Sequence, residues 1–378
     1  MKEFIKSLIQ KNIYINDFVF RKYDSKREYC IEKVSKSLSQ EDTINDTKKL
    51  YHFLTKVKNN NTAFWSYDFN KTANRLYGIK KSIFCGIVDK SYNFPAIEHG
   101  LILGNTFFKD IKNTSRATCI TFSDFRKCVI HKKYNIPVFC VGPYINYAQD
   151  YYNKEEFKNI KNKLGNNLLV FVSHSTDEGN IKYNSKLLIE YLDAYKSDFD
   201  TISICVFWWD LDSKLVKLLE KYKFKIVCAG YREDIKFLSR LKGIIDLSDE
   251  VIGDGVGTHI GYCLARNKKF SIIDSVSQYE NDNIDAFYKE QITVIKNAFS
   301  KEKEDIGKQK QIYNYYWGGN YFRNKNEIKA IYEINKDILK ISNGFTFLYS
   351  KAVNNLLEKY NKTDKLKFEI LREATSYN

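Results

Sequence analysis

At 378 residues and a net charge of +15, the chain is longer than one hydrophobic core usually serves and predicts two domains. Its 43% hydrophobic and 15% aromatic residues exclude a disordered chain. The eight cysteines (Cys30, Cys85, Cys119, Cys128, Cys140, Cys205, Cys228 and Cys263) contain no CxxC pair, so neither a zinc site nor a dithiol redox motif is indicated, and they read as buried thiols of a reducing compartment.

The positive charge is spread through a chain rich in Lys, Asn, Ile and Tyr. No block of about five or six cations stands out. No zinc-finger or aromatic-basic RNA signature is present, and no nucleic-acid partner is expected. An anionic substrate or an anionic membrane surface explains the charge equally well. The start, Met1-Lys2-Glu3-Phe4-Ile5-Lys6, lacks a signal-peptide core. No apolar run approaches the roughly 20 residues that span a bilayer. A cytoplasmic protein is expected.

In chain order, the apolar runs 82–88, 117–122 and 136–141 predict strands, and 124–134 predicts a helix that starts at Asp124. Residues 149–167 are polar without a strand and mark the best domain boundary. From 168 the pattern becomes regular. Strands are predicted at 168–172, 202–207, 225–229, 243–245, 250–252 and 270–273. Helices are predicted at about 180–195, 213–222, 233–241 and 258–267. In the second of these, Leu215, Leu218, Leu219 and Tyr222 share one face. Continuous apolar strands between helices mean a parallel sheet covered on both faces, as in doubly wound nucleotide-binding domains. Beyond 280 the chain turns helical and polar.

The residues that can carry chemistry fall at predicted strand ends. The sharpest is Gly253-Asp254-Gly255-Val256-Gly257-Thr258-His259-Ile260-Gly261, where a strand meets a helix. A glycine-rich turn there exposes backbone N–H groups at the positive end of the helix dipole, which suits a phosphate. Gly257, Thr258, His259 and Gly261 are the named candidates, with Thr258 and His259 as side-chain donors. A tight turn without a ligand is the alternative. Three of the five histidines, His99, His174 and His259, sit beside Gly, Ser or Thr at strand ends. His52 and His131 read as surface or packing residues. The spacing of His99, His174 and His259 does not suit a metal, so phosphate, sugar or proton-transfer roles fit these three better. Ser173-His174-Ser175 offers hydroxyls to a phosphate or substrate, or forms an ordinary turn. Glu98-His99 can act as a base, or cap a turn. Tyr231 can stack on a base and Arg232 can pair with phosphate, while Glu233 and Asp234 suit the first turn of a helix. Phe207-Trp208-Trp209-Asp210 reads as a core edge.

Two α/β halves, a linker and a helical tail together resemble a GT-B glycosyltransferase. The segment Gly257-Thr258-His259-Ile260-Gly261-Tyr262 with Ala265-Arg266-Asn267-Lys268-Lys269 looks like the donor-phosphate loop and helix of bacterial surface-polysaccharide enzymes of that class. Glu98-His99-Gly100 and Gly142-Pro143-Tyr144 are similar to first-domain motifs of capsule and O-antigen transferases. The resemblance spans about residues 80–275. It implies two Rossmann-like doubly wound domains facing a cleft: 1–148 on the acceptor side, a 149–167 linker, 168–300 on the donor side, and a 301–378 helical tail that packs back on the first domain. It implies metal-independent transfer of a sugar from a nucleotide-sugar to a glycan or lipid-linked glycan of capsule, lipopolysaccharide or O-antigen, with peripheral association at the inner membrane. No cofactor is expected, because the nucleotide-sugar is a substrate. Glu98 or His99 would be the base, and Ser173, His174, Ser175, Tyr231, Arg232, Gly257, Thr258, His259 and Gly261 would bind the donor. The alternatives are a nucleotide-sugar epimerase of similar fold and a basic nucleic-acid or membrane-associated binding protein.

Overall fold

The computed structural model of the chain describes residues 11–15, 47, 76–87, 94–105, 117–174, 181–232, 234–273, 277–279, 286–302 and 305–376. In chain order they form α1 (Ile79–Ile83), β1 (Ala96–Ile97), β2 (Cys119–Thr121), α2 (Asp124–Tyr134) and β3 (Val138–Cys140). Next come α3 (Lys154–Leu164), β4 (Asn167–Phe171), β5 (Ile181–Tyr183), α4 (Ser185–Ala194), β6 (Thr201–Cys205), α5 (Lys214–Lys221) and β7 (Lys225–Val227). Then follow α6 (Phe237–Asp246), β8 (Glu250–Gly253), α7 (Thr258–Ala265), β9 (Lys269–Ile272), β10 (Ser277–Tyr279), α8 (Ala286–Phe299) and α9 (Ile306–Ile312). A π-helical turn, Tyr313–Trp317, leads to α10 (Lys325–Ile341), α11 (Tyr349–Thr363) and α12 (Lys365–Thr375).

The chain divides into two compact units, one holding 65–144 together with 314–378, the other holding 145–313. In the first, β1, β2 and β3 form a parallel sheet in that order. Cys119, Ile130, Ile136 and Val138 form its buried apolar cluster. The C-terminal helices belong to this unit. Thr118 donates a buried hydrogen bond of 2.7 Å to Asn335 Oδ1 of α10. Arg323 donates to the Cys140 carbonyl and pairs with Glu327 and with Glu373 of α12. Asn324 opens α10 with a capping box closed by Glu327.

The second unit carries a five-stranded, all-parallel sheet in the order β7-β6-β4-β8-β9. Numbered by appearance within this sheet, that order is 3-2-1-4-5, as in the dinucleotide-binding doubly wound sheets. Buried parallel strands need apolar side chains on both faces. Leu168, Leu169, Val170, Ile204, Val251 and Ile252 of the three central strands are all fully buried. Asp234, just before α6, and Arg240 within it form an ion pair of 2.7 Å with both side chains wholly buried. A separate two-stranded antiparallel ribbon pairs β5 with β10.

Three predicted elements differ from those found. Of the run 82–88, residue 88 lies outside the described residues, and 82–87 do not form a strand. Ile79, Ser82 and Ile83 are buried together at helical spacing in α1, and the Ser82 hydroxyl bonds back to the Gly78 carbonyl. Residues 243–245 are the last turn of α6, where Leu238, Leu241, Ile244 and Ile245 line one buried face. A three-residue apolar run serves a buried helix as readily as a strand. In the segment predicted as a helix over 180–195, residues 181–183 form β5 instead, and α4 follows its N-cap Asn184, whose side chain accepts from the Leu187 N–H. Among the described residues, no helix is long and apolar enough to cross a membrane.

Candidate functional site

In the five-stranded sheet, β4 stands where the strand order reverses. Its successor β6 lies on one side, and β8 lies on the other. The loops after β4 and β8 flank this switch point, and ligands of doubly wound sheets bind in the crevice outside such a point, at the carboxyl ends of the strands.

One carboxylate fixes the two loops to each other. The Asp254 N–H donates to the Phe171 carbonyl at 3.2 Å. Asp254 Oδ1 accepts from both the N–H and the hydroxyl of Ser173, at 2.7 and 2.6 Å. Asp254 is buried, and charge-assisted bonds in such a setting are the strong kind. Gly255 is required by this contact, since a Cβ there would stand 2.8 Å from Ser173 Oγ. Asp254 went unnamed in the sequence because its partner lies 81 residues away.

α7 then begins with Gly257 in an extended conformation as its N-cap and no side chain capping it. The first turn of a helix has N–H groups without intrahelical acceptors, so this end offers a set of donors beside the switch point. Thr258 is half-buried at this end, and Gly261 is buried within the helix.

His259 does not serve as a donor at the mouth. Its ring stacks on Phe171 with centroids 4.8 Å apart and tilts against Phe270 at 5.5 Å. Gly253 and Gly257 make room for it, for a Cβ on either would stand 3.1 or 2.9 Å from a ring nitrogen. Two of the three loop glycines thus serve a side chain of the protein itself. Burial and the nearby His174 pull the His259 pKa down to about 4, against a hydrogen bond to the Gly255 backbone that raises it. The ring is neutral at pH 7. The unfolded chain takes up this proton near pH 6.5. Between about pH 6.5 and 4 the unfolded state therefore binds more protons, and stability falls as pH drops through that window. The contribution is fully present above pH 6.5, and about 2–3 kcal/mol is lost by pH 4. His259→Gln should flatten this part of the melting-temperature profile between pH 7 and 4.5; an unchanged slope would contradict the assignment.

His174 is exposed and stacks on Phe207, with centroids 4.3 Å apart and planes 23° apart. Ser175 lies outside the described residues. Tyr231 is only 1% exposed and packs edge-on against Trp208 at 5.0 Å within the apolar core, so its ring is not available to stack on a base. Arg232, its neighbour beyond β7, holds a buried Nε that has no hydrogen-bond acceptor among the described residues. A guanidinium N–H left so is costly, and an anion would satisfy it. The segment 207–210 divides: Trp208 is buried, whereas Trp209 is exposed and Phe207 half-buried.

In the first unit, Glu98 and His99 follow β1. Glu98 is buried, and both of its oxygens are taken. Arg126 of α2 reaches Oε1 at 2.6 Å and Oε2 at 3.2 Å, and the Thr121 hydroxyl donates to Oε2 at 2.6 Å. Arg126 and Thr121 fill three of about four acceptor sites on this carboxylate, and its burial closes the rest to a substrate hydroxyl. Glu98 is an anchor that ties β1 to β2 and α2. His99 is half-buried, with its ring 6.1 Å from that of Tyr77. His131 packs in the interior, with Nδ1 2.7 Å from the Ile136 carbonyl.

No group of three or more His, Cys, Asp or Glu able to hold a metal ion occurs among the described residues. No protein-family model matches the chain, and no curated protein matches it. The geometry of this site therefore carries the functional reading.

Proposed function

We propose that the chain is a glycosyltransferase that binds a nucleotide-sugar at the crevice between the β4 and β8 loops and transfers the sugar to a glycan hydroxyl. The observation that carries this reading is the Ser173–Asp254 clamp beside the uncapped start of α7, at the point of strand-order reversal. Backbone N–H groups and helix dipole suit the donor diphosphate, and they stabilise the charge that develops on it as the glycosidic bond breaks. Arg232, whose Nε has no acceptor among the described residues, adds a cation on the same sheet edge. The leaving phosphate needs no metal on this reading. His99 takes the acceptor proton, since Glu98 is held by Arg126. The finer arrangement, a GT-B pair with the acceptor on the first unit and a surface polysaccharide or lipid-linked glycan as acceptor, belongs to the same proposal.

The test is a panel of nucleotide-sugars offered with a chelator present, with and without glycan acceptors. The reading expects thermal stabilisation by at least one donor and release of its nucleotide when an acceptor is added. Conversion of the donor to its epimer without an acceptor would identify an epimerase instead. Neither stabilisation nor turnover with any donor would overturn the proposal.

A further inference from the structure

Beside the crevice lies a cavity of about 280 Å³, over the carboxyl ends of β4 and β6. Its polar lining includes Ser173, Tyr183, Asp210, Ser213 and Lys214, and Phe207 forms part of its wall. Ser173 is also the residue that Asp254 holds, so the cavity borders the clamp between the β4 and β8 loops.

Tyr183 belongs to β5, and its hydroxyl is buried with no hydrogen-bond partner among the described residues. Burial raises its pKa, and the charges of Asp254 and Asp210 raise it further. Asp210 lines the same cavity, and Asp254 bonds Ser173, another of its lining residues. A buried hydroxyl without a partner costs free energy, and its O–H is a donor in search of an acceptor. Two carboxylates beside it are acceptors only. The ligand group that matches must both donate to carboxylate and accept from phenol. A phosphate fails, because it carries no hydroxyl hydrogen to spare and meets two negative charges. A ring with adjacent hydroxyl groups fits. In a nucleotide such a ring is the ribose, attached directly to the phosphates that the crevice would hold. The ribose also carries a flat base, and the stacked pair of Phe207 and His174 supplies an aromatic surface at the same strand end.

We propose that this cavity is the ribose subsite of the nucleotide, with Asp210 accepting from the vicinal hydroxyls and the Tyr183 hydroxyl donating to one of them. The proposal rests on the crevice being the nucleotide site. Neither residue is singled out by its local sequence. Tyr183 lies in a segment whose pattern predicts helix, and Asp210 in one that reads as a core edge.

The experiment is calorimetric titration of the full chain with uridine, cytidine, adenosine and guanosine diphosphates, and with the 2′-deoxy and 3′-deoxy forms of whichever binds. A hydrogen bond to a charged group corresponds to roughly 10- to 100-fold in affinity. The wild type should prefer the ribonucleotide over at least one deoxy form by about tenfold or more. Asp210→Asn should reduce that ratio to under about threefold while leaving deoxynucleotide affinity nearly unchanged. Tyr183→Phe removes a hydroxyl that has no protein partner among the described residues, so it should fold normally and also weaken the preference. It carries the test if Asp210→Asn fails to fold. Equal binding of ribo and deoxy forms by the wild type, or a ratio untouched in both variants, overturns the ribose subsite and leaves the crevice reading standing. Absence of binding by every nucleotide at millimolar concentration overturns both.

Discussion

Glu98→Ala should destabilise the protein by about 3–5 kcal/mol, as should Arg126→Ala. The pair is fully buried, with each side chain 1% exposed and Arg126 Nη2 2.6 Å from Glu98 Oε1. Removing either partner leaves the other charge in the interior without its counter-ion. The Thr121 hydroxyl, which donates to Glu98 at 2.6 Å, loses its acceptor as well. Because the two residues act as one unit, the double replacement should cost less than the sum of the single ones. Urea unfolding of the three variants reads this directly, through the shift in midpoint at constant slope. A fall of under about 1 kcal/mol on Glu98→Ala, together with lost turnover, would return Glu98 to the role of base.

His99→Ala should cut turnover by about a hundredfold or more, with donor affinity nearly unchanged. The argument is by position and by exclusion within the β1 loop. Glu98 is locked, and its neighbour His99 remains partly exposed on the same loop. A proton-transfer group acts on the transition state and hardly on bound donor, so the loss should appear in kcat, not in the donor Kd. Donor affinity is read by titration, turnover by nucleotide release. A variant with normal turnover would place the base elsewhere.

The second sheet was legible in the sequence because a parallel strand covered on both faces must be a continuous apolar run. Residues 168–172, 202–207, 225–229, 250–252 and 270–273 all carry such runs, and each overlaps a strand of the sheet, with ends that differ by one or two residues. Runs as short as 243–245 are ambiguous, and there the helix face defined by Leu238, Leu241 and Ile245 decided the outcome. In the site, the glycine turn could be placed but not interpreted. Whether a glycine admits a ligand or a neighbouring ring depends on Phe171 and Phe270, which come from two other strands. For the same reason His259 looks like a phosphate donor in sequence and is a neutral wedge in the fold. Glu98 looks like a base until Arg126, 28 residues on, is seen to hold it. Tyr231 looks like a platform until Trp208 is found against it. Asp254 is the converse case, an acid inside the motif whose purpose appears only when the β4 loop is beside it.

The central claim is that a nucleotide binds where the β4 and β8 loops meet. Hydrogen exchange of the full chain, with and without a saturating nucleoside diphosphate or nucleotide-sugar, tests it most directly. The account predicts slowed exchange in the backbone around 171–174 and 253–260, where Ser173, Asp254 and the start of α7 lie. Protection confined to other parts of the chain, with these two segments unchanged by a ligand shown to bind, would contradict it.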